Sequence, residues 1–552
     1  MLQNMPVTLT AVLAAVVAWV AYFMYRHANE EIKIRRYGGH APSVRKWWDP
    51  LGATFIWGLT SHSLRDENLE FFHDQFCLSA HGRKRPYNYE VRLCGSRFIF
   101  TADPDNVKAM LSTQFNDYGK GKRVRDDWHD LLGESMAVIP LSNVSPNDYP
   151  PGILTADGES WQKSRQIVRT YFTKQRISNL VCFEKHIQRL LPMIGGGGAV
   201  DVKDLLARFA LDASAEFTFG IDINSLHEPK TEFAKAFETI RATQALIERA
   251  GAFKFLVRRG EFRRQVKVAK DFIAHYVQEA LALSPEDLQE RDKKDKDYTF
   301  LHACLTSIRD STRLIDEILT VVTAGRDTAA QTVALCLFEL SRNPAYVIDM
   351  RREIEEQIGF ERQPTYAELR SMKLVHNALN ETLRLYPSVP FNGRTALRDT
   401  TLPRGGGPEG EDPVGVPEGT FVVWSVHVMH LSPELLPPES ESFPPAHLWR
   451  PHRWDDWYPE AWSYLPFNGG PRICVGQQFA ITEMSYVLVR ILQRYSRIEL
   501  KMKEPQETPK THKWVRRGDG PELAEKFAQR SPQMATEITM APRFGIQLAF
   551  RA

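Results

Sequence analysis

One decapeptide limits what this chain can be built around: Phe467-Asn468-Gly469-Gly470-Pro471-Arg472-Ile473-Cys474-Val475-Gly476. Its glycines allow a tight turn in which backbone amides can point at the Cys474 sulfur. A thiolate presented in this way suits an iron centre. Arg472 can pair with a carboxylate of a cofactor, and Phe467 can pack beside the sulfur and limit solvent. The segment 477–494 reads as an apolar helix, whose N-terminus adds positive potential near a thiolate. A free cysteine in an ordinary turn is the plainer alternative, but it does not explain the aromatic, Gly470, Arg472 and Gly476 in this order. The other cysteines (Cys77, Cys94, Cys182, Cys304 and Cys336) are scattered without paired spacing. That pattern argues against a disulfide framework or zinc knuckle and fits a reducing compartment.

The N-terminus differs from everything after it. Pro6 to Tyr25 contains no charged residue, and Arg26, Lys33, Arg35, Arg36, Arg45 and Lys46 follow. Roughly 20 apolar residues suffice to cross a bilayer as a helix. No Lys or Arg precedes the run, which disfavours a cleaved signal peptide. We expect residues 1–26 to form one transmembrane anchor, with the tip in the lumen and the body on the cytosolic side. Tyr22 and Tyr25 stand where an interfacial belt would. Residues 27–60, with Gly38-Gly39, Pro42 and Pro50, read as a hinge, and 61–552 as the catalytic domain. Net charge is +2, and Arg258-Arg259 and Arg263-Arg264 read as solvated helix faces, so no nucleic-acid partner is expected.

Along the body, strand signals appear at Asn88–Phe100 and again from Arg394 to Val426. Apolar residues at three and four spacing predict helices over Val168–Leu191, Val202–Gly220, Glu232–Arg249 and Val266–Leu283. The charged run Leu288–Asp297 reads as an exposed loop. Thr312–Leu340 is a long helix with a nearly all-apolar centre, hence buried. The expected fold class is mainly α with a smaller β portion.

The cysteine loop resembles the F-x-x-G-x-R-x-C-x-G signature of the cytochrome P-450 superfamily, matching Phe467, Gly470, Arg472, Cys474 and Gly476. The usual glycine after the aromatic is Asn468 here. The run PFNGGPRICVGQQFA, with GILTADG at 152–158 and LPRGGGPEG at 402–410, resembles the fungal alkane- and fatty-acid-oxidising branch. The resemblance implies the P-450 fold, haem b as cofactor and Cys474 as the axial iron ligand; thiolate donation favours O–O cleavage, for which the class is the general example.

Three further segments are similar to family elements. Glu381-x-x-Arg384 is by itself a commonplace helix pair; the resemblance joins it to Arg453 of Pro451-His452-Arg453-Trp454 as a structural network beneath the haem. Ala324-Gly325-Arg326-Asp327-Thr328 is similar to the A-G-x-[DE]-T oxygen-activation motif. Helical glycine costs roughly 1 kcal/mol against alanine, and room for dioxygen would be a reason for Gly325. Thr328 would then hydrogen-bond bound dioxygen and Asp327 relay protons, the alternative for Asp327 being a partner for Arg326. The second hydroxyl residue often found next is Ala329 here. Trp161 and Arg165 match a W-x-x-x-R element and would contact haem propionates.

Family topology places the turn after Pro387 over the haem, so Val389 and Phe391 are candidates to line a lipophilic pocket. The 245–257 region is an amphipathic helix or a membrane-facing lid. No flavin or dinucleotide fingerprint occurs, so electrons would come from an NADPH-cytochrome P-450 reductase on the same endoplasmic reticulum membrane. The implied reaction inserts one atom of O2 into a lipophilic substrate, as terminal hydroxylation of n-alkanes or fatty acids. Alternatives are a fungal secondary-metabolite monooxygenase, a peroxide-using relative, or a haem binder without turnover. Two departures bear on Arg453: the proline-rich stretch 431–448 is longer than the family pattern, and His452 replaces a usual acidic residue.

Overall fold

In a computed structural model, the structure describes residues 7–44, 48–49, 51–80, 87–132, 152–294, 298–440, 443–502, 532, 534–536 and 538–552. Pro6, Arg45, Lys46, Pro50 and positions 295–297 and 441–442 of the stretches read above lie outside them. The chain divides into two units.

The first unit comprises the described residues of Met1–Phe55, Gln75–Gly119 and Gly393–Trp424. Its sheet has the spatial order Asn88–Leu93, Ser96–Thr101, Phe421–Ser425, Phe391–Ala396, Tyr118–Gly119. The first two strands form an antiparallel hairpin, and Ser96–Thr101 pairs in parallel with Phe421–Ser425. Alternation here is rough because both faces are covered: Tyr89, Val91, Ile99, Val422 and Trp424 are all buried. The helix Val7–Arg36 covers the charge-free run and continues past residue 26. Its last turns are fixed by Glu30 to Arg92 (2.8 Å), by Lys33 to Asp399 (2.9 Å) and by fully buried Ile34. The stretch read as a hinge therefore begins inside this helix.

Among the described residues no helix is long and apolar enough to cross a membrane. The expected spanning helix is not found among them, because side chains at 7–13, 16, 19, 20 and 23 in the charge-free run lie outside the described set. Val17, Tyr22, Met24 and Tyr25 are exposed.

The second unit, the described residues of Ile56–Asp74, Lys120–Asn392 and Ser425–Ala552, is mainly helical. The expected helix Ser311–Arg342 runs through it, with Asp310 capping its start by accepting from the Arg313 amide at 2.7 Å. Its residues 329–340 are buried without interruption. They join the helix Gln477–Arg494 in one apolar cluster with Val333, Leu337, Tyr486 and Leu488. Gly325 has a packing reason of its own: a Cβ there would meet Ser214 Oγ of the helix Val202–Phe219 at 3.0 Å.

Two sequence expectations fail on capping chemistry. Val168–Leu191 is not one helix but Gly158–Tyr171, Lys174–Ile177 and Val181–Ile194. Thr173 accepts from the Arg176 amide (3.5 Å) and Asn179 from the Val181 amide (3.2 Å), so helix is restarted twice while the apolar period runs on. The run 288–297 is not a loop from its start; Pro285–Lys294 is helical. Ser284 and Asp287 bond each other's amides reciprocally, both at 3.1 Å, a capping box that outweighs the charge density.

Candidate active site

The cysteine loop is closed by its own backbone. The Cys474 amide donates to the Phe467 carbonyl at 2.9 Å and the Ile473 amide to Gly470 at 3.1 Å. Two residues sit in the left-handed region, Asn468 at φ 64° and Gly470 at φ 63°. Asparagine is among the few side chains that visit this region, which explains why it can stand where the family has glycine. Its amide also donates to the Arg472 carbonyl at 3.3 Å. Asn468→Gly should therefore keep stability within about 0.5 kcal/mol, and Asn468→Ala should lose about 1 kcal/mol in denaturant unfolding. Equal stabilities for the two variants would remove this account.

Cys474 carries exposed surface yet lies deep among protein atoms, as a residue on a cavity wall does. Burial raises its thiol above the ordinary range, while the Gly476 amide and the Arg165 guanidinium pull it down. Those two groups favour a thiolate. The helix Gln477–Arg494 starts directly after Gly476, adding its amino-terminal dipole.

Around the loop the sequence candidates converge. Trp161 is buried; Arg472 lies over its ring at 4.5 Å, and Arg165 lies 5.8 Å from the same ring. Burial lowers Arg472 to about 10, Asp157 opposes that, and Arg165 adds to it by repulsion. Burial likewise lowers Arg165. Phe467 is half-buried and packs against the main apolar cluster.

Asp157, which the motifs did not single out, organises this region. Its carboxylate accepts from the amides of Lys120 (2.8 Å) and Gly121 (2.9 Å), from Arg472 (2.9 Å) and from Arg125 (3.4 Å). Arg472 also donates to the Ala156 carbonyl at 2.7 Å. In the sequence it stood only as one residue of the GILTADG segment at 152–158, with no role assigned. One carboxylate thus faces two cations, Arg125 and Arg472, while Arg165 lies against the Trp161 ring that Arg472 also covers, beside a thiol held by an amide and a guanidinium. That donor set fits a dianionic porphyrin whose iron takes a sulfur ligand.

A second group lies on the helix Ser311–Arg342. Thr328 Oγ1 donates back to the Ala324 carbonyl at 2.9 Å. Asp327 pairs with buried Arg326 at 3.2 Å, the alternative its position left open, and Arg326 also binds Glu238. Ala329, the departure from the motif, is buried, and hydroxyls come from elsewhere: Thr332 donates to the Thr328 carbonyl at 2.8 Å and meets Ser388 Oγ at 3.0 Å. Neither Thr332 nor Ser388 carried a sequence signal. Val389 is 36% exposed between buried neighbours, and Phe391 packs on Phe72 at 4.9 Å between centroids. The two groups are held by separate hydrogen-bond sets.

The third group is buried completely. Glu381 accepts from Arg384 at 2.8 and 2.9 Å, from Arg453 at 2.8 Å, from the Arg450 amide at 2.9 Å and from Trp454 at 3.0 Å. The proline-rich stretch 431–448 does not displace Arg453; it supplies acceptors, the carbonyls of Pro444 (3.1 Å), Pro445 (3.3 Å) and Leu448 (3.1 Å). His452 points away to Asp455 at 3.0 Å.

The Cytochrome P450 family model matches residues 141–522. The chain is 40% identical over 509 residues to cytochrome P450 monooxygenase pvhE of Talaromyces variabilis, covering 89% of this chain and 90% of that one. It is 36% identical over 434 residues to cytochrome P450 52A13 of Debaryomyces hansenii, covering 75% and 78%. The crystal structure of the cytochrome P450DA heme domain superposes with a TM-score of 0.68 at 16% identity, over 93% of this chain and 96% of that one. The chain belongs to the cytochrome P450 family, monooxygenases that carry thiolate-ligated haem iron and take O2, substrate and electrons from a redox partner.

Proposed function

We propose that this chain hydroxylates the terminal carbon of n-alkanes or fatty acids while anchored to the endoplasmic reticulum membrane, with its catalytic body in the cytosol. Cys474 would be the axial ligand, and the haem iron, when bound, supplies reductive activation of O2 so that RH, O2, two electrons and two protons give ROH and water. Arg165 and the Gly476 amide stabilise negative charge on the Cys474 sulfur. Trp161, Arg165 and Arg472 hold the cofactor's carboxylates, and Phe467 limits solvent at the sulfur. Asp327 collects protons from solvent and Thr328 passes them on at its hydroxyl; the pair with Arg326 is made through Asp327 Oδ1.

The anchor reading, residues 1–26 followed by a linker within 37–60 and the oxygenase body at 61–552, rests on the charge-free run and the basic residues after it, with 27–36 continuing the helix. An NADPH-cytochrome P-450 reductase on the same membrane is the electron donor expected for such an anchored enzyme.

One observation carries the substrate class: apolar Val389 is the exposed residue in the otherwise buried stretch 381–390, and Phe391 follows it. The resemblance of three segments to the alkane- and fatty-acid-oxidising branch supports the same reading. The test is a chain-length series of fatty acids and n-alkanes titrated against the haem spectrum. Each buried methylene contributes about 0.8 kcal/mol, so dissociation constants should fall roughly fourfold per carbon until the pocket is filled. A flat series would sink the reading. The match to the Talaromyces variabilis monooxygenase is longer and stronger than that to the 52A13 protein. A second reading is a lipophilic secondary metabolite as substrate, which the flat series would leave standing.

A further inference from the structure

We infer that Ser388 is a positioning residue that sets where on the substrate oxygen is inserted. The turn Pro387-Ser388-Val389-Pro390 follows the helix Lys373–Leu385 and carries Val389 into the strand that begins at Phe391. Its backbone is already held: Met540 donates to the Ser388 carbonyl and Val426 to that of Pro390, both at 2.9 Å. The side chain does something separate. Ser388 Oγ lies 3.0 Å from Thr332 Oγ1 and 3.3 Å from the Thr328 carbonyl, while Thr332 Oγ1 lies 2.8 Å from that same carbonyl.

Each hydroxyl has one proton, so the donations can be assigned. The shortest contact takes the Thr332 proton to the Thr328 carbonyl, which leaves Thr332 Oγ1 as acceptor for Ser388; the 3.3 Å contact is a secondary branch. All of this is buried, with Ser388 8% and Thr332 2% exposed, so water does not replace a lost bond cheaply. The result ties the residue beside Val389 to the backbone of Thr328. Ser388 thereby fixes the spacing between an apolar wall and the alcohol assigned to oxygen handling. Its role is to act through Val389. The inference rests on the reading that Val389 faces the substrate.

The test uses the full-length holoenzyme and Ser388→Ala, Ser388→Thr, Thr332→Val and the double variant S388A/T332V, each first checked for an unchanged carbon monoxide spectrum. Imidazole reports the iron alone, whereas 4-phenylimidazole must also fit its ring against the wall. With the bond lost, the wall loosens and must be re-ordered when the ring binds, so Ser388→Ala should weaken 4-phenylimidazole by up to about fivefold, the worth of one buried hydrogen bond, and leave imidazole unchanged. Ser388→Thr should restore the native value, and the double variant should be no weaker than Ser388→Ala, because one hydroxyl pair is lost once. With dodecanoic acid, reductase and NADPH, Ser388→Ala should spread the hydroxyl over more carbons without a matching fall in total product. Unchanged 4-phenylimidazole binding, or equal weakening of both imidazoles, overturns the inference. A selective 4-phenylimidazole change in an enzyme that oxidises neither dodecanoic acid nor an alkane leaves the positioning role intact and rejects the substrate class instead.

Discussion

Cys474→Ser abolishes both the thiolate-type reduced carbon monoxide spectrum and all NADPH-dependent product formation, while leaving the chain folded. A serine hydroxyl cannot ionise near neutral pH, so the replacement removes the anionic donor whose electron density favours O–O cleavage. The native thiol is pushed up by burial, and the Gly476 amide and Arg165 pull it down; an iron ligand would complete that ionisation, since a coordinated thiol is deprotonated. The fold should survive because Cys474 is exposed and the bond that closes its loop is made by backbone, the Cys474 amide to Phe467. Cys182→Ser and Cys336→Ser are the controls, being cysteines outside the loop, and should keep the spectrum. If Cys474→Ser retained it, the ligand would be another residue and the assignment would fail.

The parts of this molecule that were legible in sequence are those whose physics is local. Residues 467–476 close on themselves through short-range bonds, so their order in the chain already describes the loop, including an asparagine able to take a left-handed turn. The helix Ser311–Arg342 is long enough for its apolar period to settle its extent. Periodicity failed where side-chain caps interrupt a continuous stripe, as at Thr173 and Asn179, or start a helix in a charged run, as at Ser284. Asp157 and Ser388 were invisible for another reason. Asp157 meets Arg472 across 315 residues and Ser388 meets Thr332 across 56, and nothing in their immediate neighbours marks either as a partner. The proline-rich stretch 431–448 looked like a disturbance because its contribution is carbonyl groups, which every residue has.

The Glu381 network yields the other large effect, and it is one of stability. Glu381→Gln keeps shape but strands two guanidiniums, Arg384 and Arg453, whose side chains are 1% and 0% exposed. Breaking a buried ion pair from one side costs about 3–5 kcal/mol, because the remaining charge has neither water nor a counter-ion. A domain is typically stable by only about 5–15 kcal/mol, so the variant should lose most of its margin and appear as haem-free or aggregated protein. Arg453 donates to the carbonyls of 444, 445 and 448 besides the carboxylate, and a lysine there keeps the positive charge opposite Glu381, so Arg453→Lys should cost less than Glu381→Gln. The pH dependence separates this loss from a packing defect. Burial raises the Glu381 carboxyl, but Arg384 and Arg453 outweigh it and its net shift is down from 4.5. A carboxyl lowered on folding adds stability above pH 4.5 and loses it as pH falls through the folded value. Wild-type protein should therefore lose stability more steeply than Glu381→Gln as pH falls below 4.5, the two curves converging as pH drops. Denaturant midpoints measured from pH 7 down to pH 3 check this, and parallel curves with a constant gap would show that the carboxylate's charge is not what holds the network.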